Sequence, residues 1–313
     1  MQVGFIGLGT MGGPIARNLL KAGYRLVVND IRREAAAAHV AAGAEWADTP
    51  QDLATRCEVI FTSLPGPPEV EAVALGPRGI LAGARPGAIW FDLSTNSPSL
   101  VRRLADALAA KSAHLLDAPV SGGPAGAESG KLAIWVGGDE AAFNKCQPVL
   151  EAIGDRVRLI GPIGSGSIAK LVHNCVGYII NTGIAEVFAL GVKAGMDPLA
   201  LWEAVRDGAV GRARTFDLMA GNFLAGKFDP AGFALRLAHK DVALATALGR
   251  EMGVPMRLAN LTLEEMTEAM GRGWGNRDSR VAMTLELERA GVQIAVDPER
   301  IKAAQERGAK ART

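Results

Sequence analysis

Up to about residue 162, short continuous apolar segments alternate with segments whose apolar residues recur every three or four positions. The continuous segments predict strands that are buried on both faces, and the segments of helical spacing predict the helices between them. The predicted strands are residues 3–6, 26–29, 59–62, 89–93, 114–116, 133–136 and 157–160. The predicted helices of this part are residues 14–22, 32–42, 98–110 and 140–153. This alternation is typical of a mostly parallel sheet with helices on both faces.

The pattern changes after residues 161–166, a glycine- and proline-rich segment that indicates a linker. From residue 167 onward, nearly every segment has helical spacing, and residues 167–194 predict one long helix. Shorter helices are predicted at residues 198–206, 215–220, 234–252, 255–270 and 279–290, and the basic residues 300–313 predict a frayed tail. The sequence therefore predicts an α/β domain at residues 1–163 and an all-α domain at residues 164–313, joined through the long helix.

The composition excludes several classes of protein. Hydrophobic residues make up 49% of the chain and charged residues 21%, which is enough apolar material for a large core and argues against disorder. The net charge of +1 offers no electrostatic footprint for nucleic acid or for an anionic membrane surface. The best candidate for a membrane span, residues 175–192, contains Asn181, Thr182 and Glu186, which lipid would tolerate poorly. Neither a nucleic acid nor a membrane is therefore expected as a partner.

The cysteines and the start of the chain predict a cytoplasmic protein. Cys57, Cys146 and Cys175 are odd in number, widely spaced and in no metal or redox pattern, as expected in a reducing compartment. The first predicted strand begins at residue 3, which leaves no room for a secretory signal. The histidines have no companions at the spacing of metal ligands, so no metal site is expected.

A glycine-rich turn follows the first predicted strand and opens the next helix: Gly7-Leu8-Gly9-Thr10-Met11-Gly12. In this pattern the first glycine permits the tight turn, the second lets the backbone approach a pyrophosphate, and the third lets the helix pack closely on the strand. The free amides at the start of the helix favour phosphate groups. Asp30 ends the second predicted strand, where a carboxylate accepts hydrogen bonds from ribose hydroxyls. Strand, turn, helix, strand and acid together predict a dinucleotide-binding domain of the Rossmann type.

The choice between NAD and NADP depends on Asp30 and the residues after it. A carboxylate at this position repels a 2′-phosphate and favours NAD, whereas Arg32 and Arg33 would attract one and favour NADP. The two arginines would otherwise be solvated residues in the first turn of the next helix. We expect NAD as the cofactor, with NADP as the alternative.

Four segments of the chain, in order, resemble the β-hydroxyacid dehydrogenase family. They are Gly4-Phe5-Ile6-Gly7-Leu8-Gly9-Thr10-Met11-Gly12, Asp117-Ala118-Pro119-Val120-Ser121-Gly122-Gly123, Lys170-Leu171-Val172-His173-Asn174 and His239-Lys240-Asp241. The resemblance extends from residue 4 to about residue 290, and residues 61–65 and 237–241 look most like the 2-(hydroxymethyl)glutarate dehydrogenase branch. It implies a Rossmann-type domain followed by an all-helical substrate and oligomerisation domain, an NAD(P) cofactor, and a homodimer or homotetramer.

The resemblance implies further cofactor contacts. Leu64 and Pro65 match a family loop that meets the cofactor, and Thr95 matches a residue near the nicotinamide. Both loops follow predicted strands, and open α/β sheets bind their ligands at the carboxyl ends of strands. Thr95 would otherwise cap the helix that begins at Pro98. Lys240 matches a family lysine near the nicotinamide, and would otherwise be a solvated helix residue.

Lys170 and Asn174 are the predicted catalytic residues. They stand four positions apart at the start of the long helix, so both side chains project from one face, which Gly177 and Asn181 continue. A polar or small face on an otherwise apolar helix indicates the lining of a cleft. Lys170 would be the general base in oxidation and the general acid in reduction, and Asn174 would hold the substrate oxygen or the lysine. The alternative is a lysine that snorkels at the helix start.

Ser121, Gly122 and Gly123 are predicted to bind the substrate. Two consecutive glycines expose backbone amides, which bind a carboxylate, and Ser121 adds a hydroxyl donor. The alternative is a plain loop.

The sequence leaves the roles of His173 and Arg212 open. Many relatives carry Asn at the position of His173, and residues 170–174 also resemble the corresponding helix of 6-phosphogluconate dehydrogenase. His173 would therefore contact the substrate or be a buried histidine with satisfied hydrogen bonds. Arg212 matches a family Gly-Arg pair as a partner for the substrate carboxylate, but Val210 replaces the serine that precedes that pair.

The sequence therefore predicts an NAD-dependent oxidoreductase that acts on the CH–OH group of a short β-hydroxyacid and forms its semialdehyde or keto acid by hydride transfer. An alternative is the same machinery used as an NADPH-linked semialdehyde reductase. A dinucleotide-binding module without catalysis and an imine reductase would both be expected to lack Lys170, which is present.

Overall fold

The computed structural model describes residues 1–208 and 219–310. The chain divides into two compact units, Met1–Leu171 and Val172–Thr313, and the division falls inside the long helix. The domain boundary predicted between residues 163 and 164 remains a prediction. Arg212 and most of the helix predicted at residues 215–220 lie outside the described residues.

The first unit is built around a nine-stranded, mostly parallel sheet. Its strands are β1 (Gln2–Ile6), β2 (Arg25–Asn29), β3 (Glu45–Trp46), β4 (Val59–Thr62), β5 (Ile89–Asp92), β6 (His114–Asp117), β7 (Val120–Ser121), β8 (Leu132–Gly137) and β9 (Gly154–Gly161). The order is β3-β2-β1-β4-β5-β6-β8-β7, with β9 on β8. The first six strands pair in parallel, and β8 runs antiparallel to β6 and β7. The order 3-2-1-4-5-6 is that of a dinucleotide-binding sheet.

Helices cover both faces of this sheet. They are α1 (Gly12–Lys21), α2 (Ala37–Ala41), α3 (Pro50–Arg56), α4 (Pro67–Leu75), α5 (Ile80–Gly83), α6 (Pro98–Ala109), α7 (Gly123–Ser129) and α8 (Glu140–Glu151). Successive residues of β1 and β2 enter two different apolar clusters, one on each face. This double burial explains why the strands read as continuous apolar segments.

Local sequence signals start several of these helices. Thr49, Ser97 and Asp139 each accept a hydrogen bond from the backbone N–H three residues on, at the starts of α3, α6 and α8. A proline follows the first two of these caps, where its missing N–H costs nothing.

The long helix α9 spans Ser165–Lys193 and leads into the second unit. The other helices of that unit are α10 (Pro198–Asp207), α11 (Leu235–Glu251), α12 (Arg257–Gly271), α13 (Thr284–Ala290) and α14 (Pro298–Lys310). A π-helical turn at Ala220–Leu224 and 3₁₀ helices at Arg33–Ala36 and Ser279–Met283 complete the described elements. None of the described helices combines the length and the apolar composition needed to cross a bilayer. The predicted fold class, a Rossmann-type α/β domain followed by a helical domain, is confirmed.

One local prediction was wrong. Residues 300–313 read as a frayed tail, but α14 includes most of them. Ile301 and Ala304, one turn apart, are buried in the apolar core of the second unit, and Asp297 caps the helix through the backbone N–H of Glu299. The sequence pattern predicted a frayed tail because basic residues are frequent there and only this one apolar pair indicates a buried helix face.

Candidate active site

The glycine-rich turn between β1 and α1 has the geometry of a phosphate-binding loop. Gly7 has φ +93°, and a Cβ there would collide with the carbonyl of Ser63. A Cβ on Gly12 would collide with the carbonyl of Gly7. At Gly9, however, a Cβ would meet no atom within 4 Å, so the packing of the protein does not itself require glycine. Open space over this backbone is what a close-lying pyrophosphate needs, and the turn therefore fits a dinucleotide.

Asp30 follows β2 and is joined to this turn. Its Oδ2 accepts a hydrogen bond from the backbone N–H of Leu8 at 2.7 Å, and its Oδ1 accepts one from Arg32 N–H at 2.8 Å. Each carboxylate oxygen retains a further lone pair for a ribose hydroxyl. The Arg33 guanidinium lies 5.5 Å from the centre of the Trp46 ring, while Arg32 is exposed. The carboxylate thus orders the glycine-rich turn in addition to its predicted role.

A buried carboxylate after β5 ties together the loops that follow β4 and β5. Asp92 accepts hydrogen bonds from Thr62 Oγ1 at 2.8 Å, Asn96 Nδ2 at 2.9 Å and Ser94 N at 3.1 Å. The Ser94 hydroxyl in turn accepts one from the backbone N–H of Leu64 at 3.0 Å. Burial raises the pKa of Asp92, although these hydrogen bonds act in the opposite direction. Sequence reasoning missed Asp92, whose signal is an acid that ends a continuous apolar strand.

These bonds position the residues predicted to contact the cofactor. Leu64 is half-buried and Pro65 is exposed in the loop after β4, and Thr95 is half-buried in the loop after β5. Ser97, not Thr95, caps α6, so the alternative role for Thr95 does not hold. The glycine-rich turn, Asp30 and both loops all follow the carboxyl ends of adjacent parallel strands, where open α/β sheets bind nucleotides.

A second buried carboxylate, Asp117 at the end of β6, holds the start of α9. Its Oδ1 accepts a hydrogen bond from Gly164 N at 2.7 Å, and its Oδ2 accepts one from Ser167 N at 2.6 Å. Burial raises the pKa of this carboxyl group. A Cβ on Gly166 would collide with the carbonyl of Trp135, so α9 can begin this close to the sheet only with glycine there. Sequence reasoning quoted Asp117 within a family segment but gave it no role.

Lys170 is held beside the predicted substrate loop. Its Nζ donates a hydrogen bond to the carbonyl of Val120 at 2.7 Å. Val120 precedes Ser121, which is half-buried, and then Gly122 and Gly123, which are exposed with φ of +136° and +61°. Lys170 and the predicted segment 117–123 therefore meet within the first unit.

Asn174 belongs to a hydrogen-bonded group of the second unit. Its Nδ2 donates to Asp241 Oδ2 at 2.6 Å, and its Oδ1 lies 2.9 Å from His173 Nδ1. Asp241 is buried and its Oδ1 lies 2.9 Å from Lys240 Nζ. His173 is exposed, so it is not a buried histidine, and Lys240 is ion-paired rather than free in solvent. Asp241 has a sequence signal that was not used: an acid at a core position of an amphipathic helix.

The described residues include no group of three or more histidine, cysteine, aspartate or glutamate side chains that would hold a metal ion.

Comparison with known proteins defines the class to which this arrangement belongs. The family model described as the NAD binding domain of 6-phosphogluconate dehydrogenase matches residues 2–161. The model described as NAD-binding of NADP-dependent 3-hydroxyisobutyrate dehydrogenase matches residues 164–285. Together with the sheet and the glycine-rich turn, these matches define an NAD(P)-dependent oxidoreductase.

Individual relatives show which dehydrogenases the chain is similar to. The chain is 36% identical over 295 residues to 2-(hydroxymethyl)glutarate dehydrogenase of Eubacterium barkeri, covering 94% of this chain and 98% of that protein. It is 36% identical over 289 residues to NAD-dependent L-serine dehydrogenase of Pseudomonas aeruginosa, covering 91% of this chain and 97% of that protein. The crystal structure of 3-hydroxyisobutyrate dehydrogenase from Salmonella typhimurium matches with a TM-score of 0.81 and 29% identity, covering 91% of this chain and 99% of that one.

The chain belongs to the β-hydroxyacid dehydrogenase family. It is an NAD(P)-dependent hydroxyacid dehydrogenase of the 3-hydroxyisobutyrate dehydrogenase type, acting on the CH–OH group of its donor. The family, the reaction class and the NAD(P) cofactor predicted from the sequence are thereby confirmed.

The different surroundings of Gly9 and Gly12 give a matched pair of variants. Gly9→Ala should leave the thermal unfolding midpoint unchanged but weaken NADH binding roughly tenfold to hundredfold, because the added methyl displaces the pyrophosphate from backbone amides. Gly12→Ala should destabilise the free protein by roughly 1–3 kcal/mol, because its Cβ meets the Gly7 carbonyl. Thermal unfolding without cofactor and fluorescence titration with NADH measure the two effects. Unchanged affinity in Gly9→Ala would show that the cofactor does not approach this turn.

Proposed function

We propose that this enzyme oxidises the primary alcohol of a short 2-substituted 3-hydroxypropanoate, HOCH₂–CH(R)–COO⁻, to the semialdehyde, reversibly and with NAD. The observation that carries the proposal is the hydrogen bond between Lys170 Nζ and the Val120 carbonyl, which fixes the lysine beside Ser121. The names of the three relatives support the substrate class. Serine, 3-hydroxyisobutyrate and 2-(hydroxymethyl)glutarate all carry a CH₂OH group on the carbon next to a carboxylate.

Lys170 moves the proton of the reaction. When bound, NAD would supply the acceptor for the hydride of the CH₂OH carbon. Lys170 Nζ takes the hydroxyl proton in the oxidation. A neutral amine still has two N–H groups, so one of them can stay on the Val120 carbonyl while the nitrogen lone pair faces the substrate hydroxyl. In reduction the ammonium returns the proton to the developing alkoxide.

The neighbouring groups orient the substrate. Ser121 and the backbone amides of Gly122 and Gly123 bind the carboxylate, since both glycines are exposed and have backbone conformations in the left-handed region. Asn174 holds the substrate oxygen, and His173 contacts the substrate substituent. The bond from Asn174 Nδ2 to the buried Asp241 supports this assignment, because it fixes the orientation of the amide, which keeps one further N–H on Nδ2 and one further lone pair on Oδ1.

The cofactor contacts proposed are the glycine-rich turn, Asp30, the loops with Leu64, Pro65 and Thr95, and Lys240. NAD is the preferred cofactor, because the Asp30 carboxylate would repel a 2′-phosphate and the Arg33 guanidinium stacks on Trp46. The exposed Arg32 favours the second candidate, an NADPH-linked semialdehyde reductase with the same residues.

A homo-oligomer is also proposed, with residues 164–313 as the substrate and oligomerisation domain. Val172, Val176 and Ile180 follow each other at intervals of four on α9 and are 57%, 50% and 39% exposed. A row of large apolar side chains on one helix face is typical of a protein interface.

Changing Lys170 tests the mechanism. Lys170→Ala should lower kcat by roughly 10²–10⁴, the usual contribution of one general acid–base group, while NAD affinity stays nearly constant. Lys170→Arg should not restore the rate, because a guanidinium stays protonated. The assay follows NADH formation with the fastest HOCH₂–CH(R)–COO⁻ substrate across a pH series, in which the variant should lose the rising limb of kcat/KM. Lys193→Ala, an exposed lysine on the same helix, is the control. A Lys170→Ala rate within a few-fold of the original would remove this residue from the mechanism.

Changing Asp30 tests the cofactor preference. Asp30→Ala should weaken NAD binding by about 1.5–3 kcal/mol and improve the relative use of NADP. Because Asp30 also binds the Leu8 amide, damage to the turn would weaken both cofactors alike. Loss of the ribose contact would instead weaken NAD selectively, so the NAD/NADP ratio of kcat/KM is the decisive quantity. Glu34→Ala, which removes an exposed acid nearby, should leave that ratio unchanged.

Light scattering tests the oligomer. The measured mass should be two or four times 32.7 kDa. Val176→Asp should shift the mass toward the monomer by placing a charge in the apolar row, while Val40→Asp, a similarly exposed valine of the first unit, should not. A concentration-independent monomer in the unaltered protein would contradict the assignment.

A further inference from the structure

A cavity of about 160 Å³ lies within the second unit, enclosed by α9, α12 and the segment from Ser279 to α13. A cavity of similar volume lined by apolar side chains can hold benzene, so the space suffices for roughly six non-hydrogen atoms. All of its lining residues belong to the second unit. Asn181 is on the helix face predicted to line a cleft, but no lining residue is a proposed catalytic, substrate-binding or cofactor-binding residue.

Several polar groups that face this cavity lack a hydrogen-bond partner among the described residues. Ser279 is only 6% exposed, yet its hydroxyl makes no hydrogen bond within that part of the chain. The side-chain amide of Asn181 and the hydroxyl of Tyr178 also make no hydrogen bond within that part of the chain. Since buried polar groups are normally paired, the buried Ser279 favours an occupant that supplies a hydrogen bond, to which the half-buried Tyr178 and Asn181 can contribute.

The wall formed by α12 and α13 is acidic. Glu265 and Glu286 line the cavity, and both bind the guanidinium of Arg289, at 2.8 Å and 3.2 Å. Arg289 also binds Glu268 at 2.7 Å. Arg272 also binds Glu268, and it binds Glu288 as well, so two guanidinium groups bind four carboxylates. This wall therefore carries a net negative charge that attracts a cation and repels an anion. The remaining lining includes Leu261 and Met266, which suit a short apolar chain.

We infer that this cavity binds a small organic cation, a primary ammonium group on an apolar chain of about four carbons. The ammonium has three N–H donors, which suit the carboxylates and the amide oxygen of Asn181, and it needs no acceptor. The alkyl chain lies against Leu261 and Met266. The binding is independent of the dehydrogenase reaction and needs no cofactor.

Calorimetric titration of the intact protein tests this inference, with n-butylammonium, 1-butanol and butyrate as probes of matched length. Butylammonium should bind with one site per chain and roughly tenfold to hundredfold tighter than 1-butanol, while butyrate should not bind. Glu286→Gln should remove most of the preference for the cation. The control is Glu288→Gln, which belongs to the same ion-pair network through Arg272 but does not line the cavity, and it should retain the preference.

Asn181→Leu provides a second test, because it fills the cavity with an apolar side chain and should abolish butylammonium binding. Circular dichroism checks that each variant is folded. Glu286→Gln should fold normally, because the Glu286 side chain is partly exposed. Equal binding of butylammonium and 1-butanol would overturn the inference, and so would absence of binding to the unaltered protein. Binding that survives both Glu286→Gln and Asn181→Leu would place the cation elsewhere and also overturn it. If a second copy of the chain fills the cavity, no probe will bind below the concentration at which the oligomer dissociates, which again excludes the ligand site.

Discussion

The position of the candidate catalytic lysine, Lys170, depends on one buried carboxylate, Asp117. It ends β6 and accepts the backbone N–H groups of Gly164 and Ser167, and so fixes where α9 starts and how its first turn is oriented. Lys170 comes three residues after Ser167, and its reach to the Val120 carbonyl follows from that start. Val120 and Ser121 continue the chain from Asp117 itself. A single side chain therefore fixes the position of Lys170 relative to the loop at Val120 and Ser121.

Asp92 plays a similar part in the loops proposed to bind the cofactor. By binding Thr62, Ser94 and Asn96 it joins the loops after β4 and β5, which carry the proposed cofactor contacts. Asp30 joins β2 to the glycine-rich turn through Leu8. In each case an acid at the carboxyl end of a parallel strand binds backbone or side-chain donors of a neighbouring loop. Carboxylates thus order the loops at the carboxyl ends of the parallel strands.

The sequence predicted what depends on local pattern. The continuous apolar strands, the glycine-rich turn and the long helix were all visible, because burial on two faces and helical periodicity leave regular traces. The two-residue strands β3 and β7 and the short helices α3, α5 and α7 leave too few positions for a period, and they were missed. The nine-residue α4 was missed because its apolar residues do not gather on one face. Asp92, Asp117 and Asp241 each bind at least one partner that lies 30 or more residues away along the chain, which the sequence pattern could not show. Only the fold brings donor and acceptor together.

Burial raises the pKa values of Asp92 and Asp117, so ionising these groups costs free energy that a neutral residue would not require. Stability alone therefore does not explain an acid at either position. Asp117 must accept two backbone N–H groups, those of Gly164 and Ser167, and Asp92 must accept three donors, one from the end of β4 and two from the loop after β5. Asparagine offers one acceptor oxygen and adds two donors that would face other donors. A carboxylate offers two acceptor oxygens at a fixed spacing, and the hydrogen bonds it gains when ionised are the stronger kind. The acids at these strand ends are thus best understood as groups that hold loops in position.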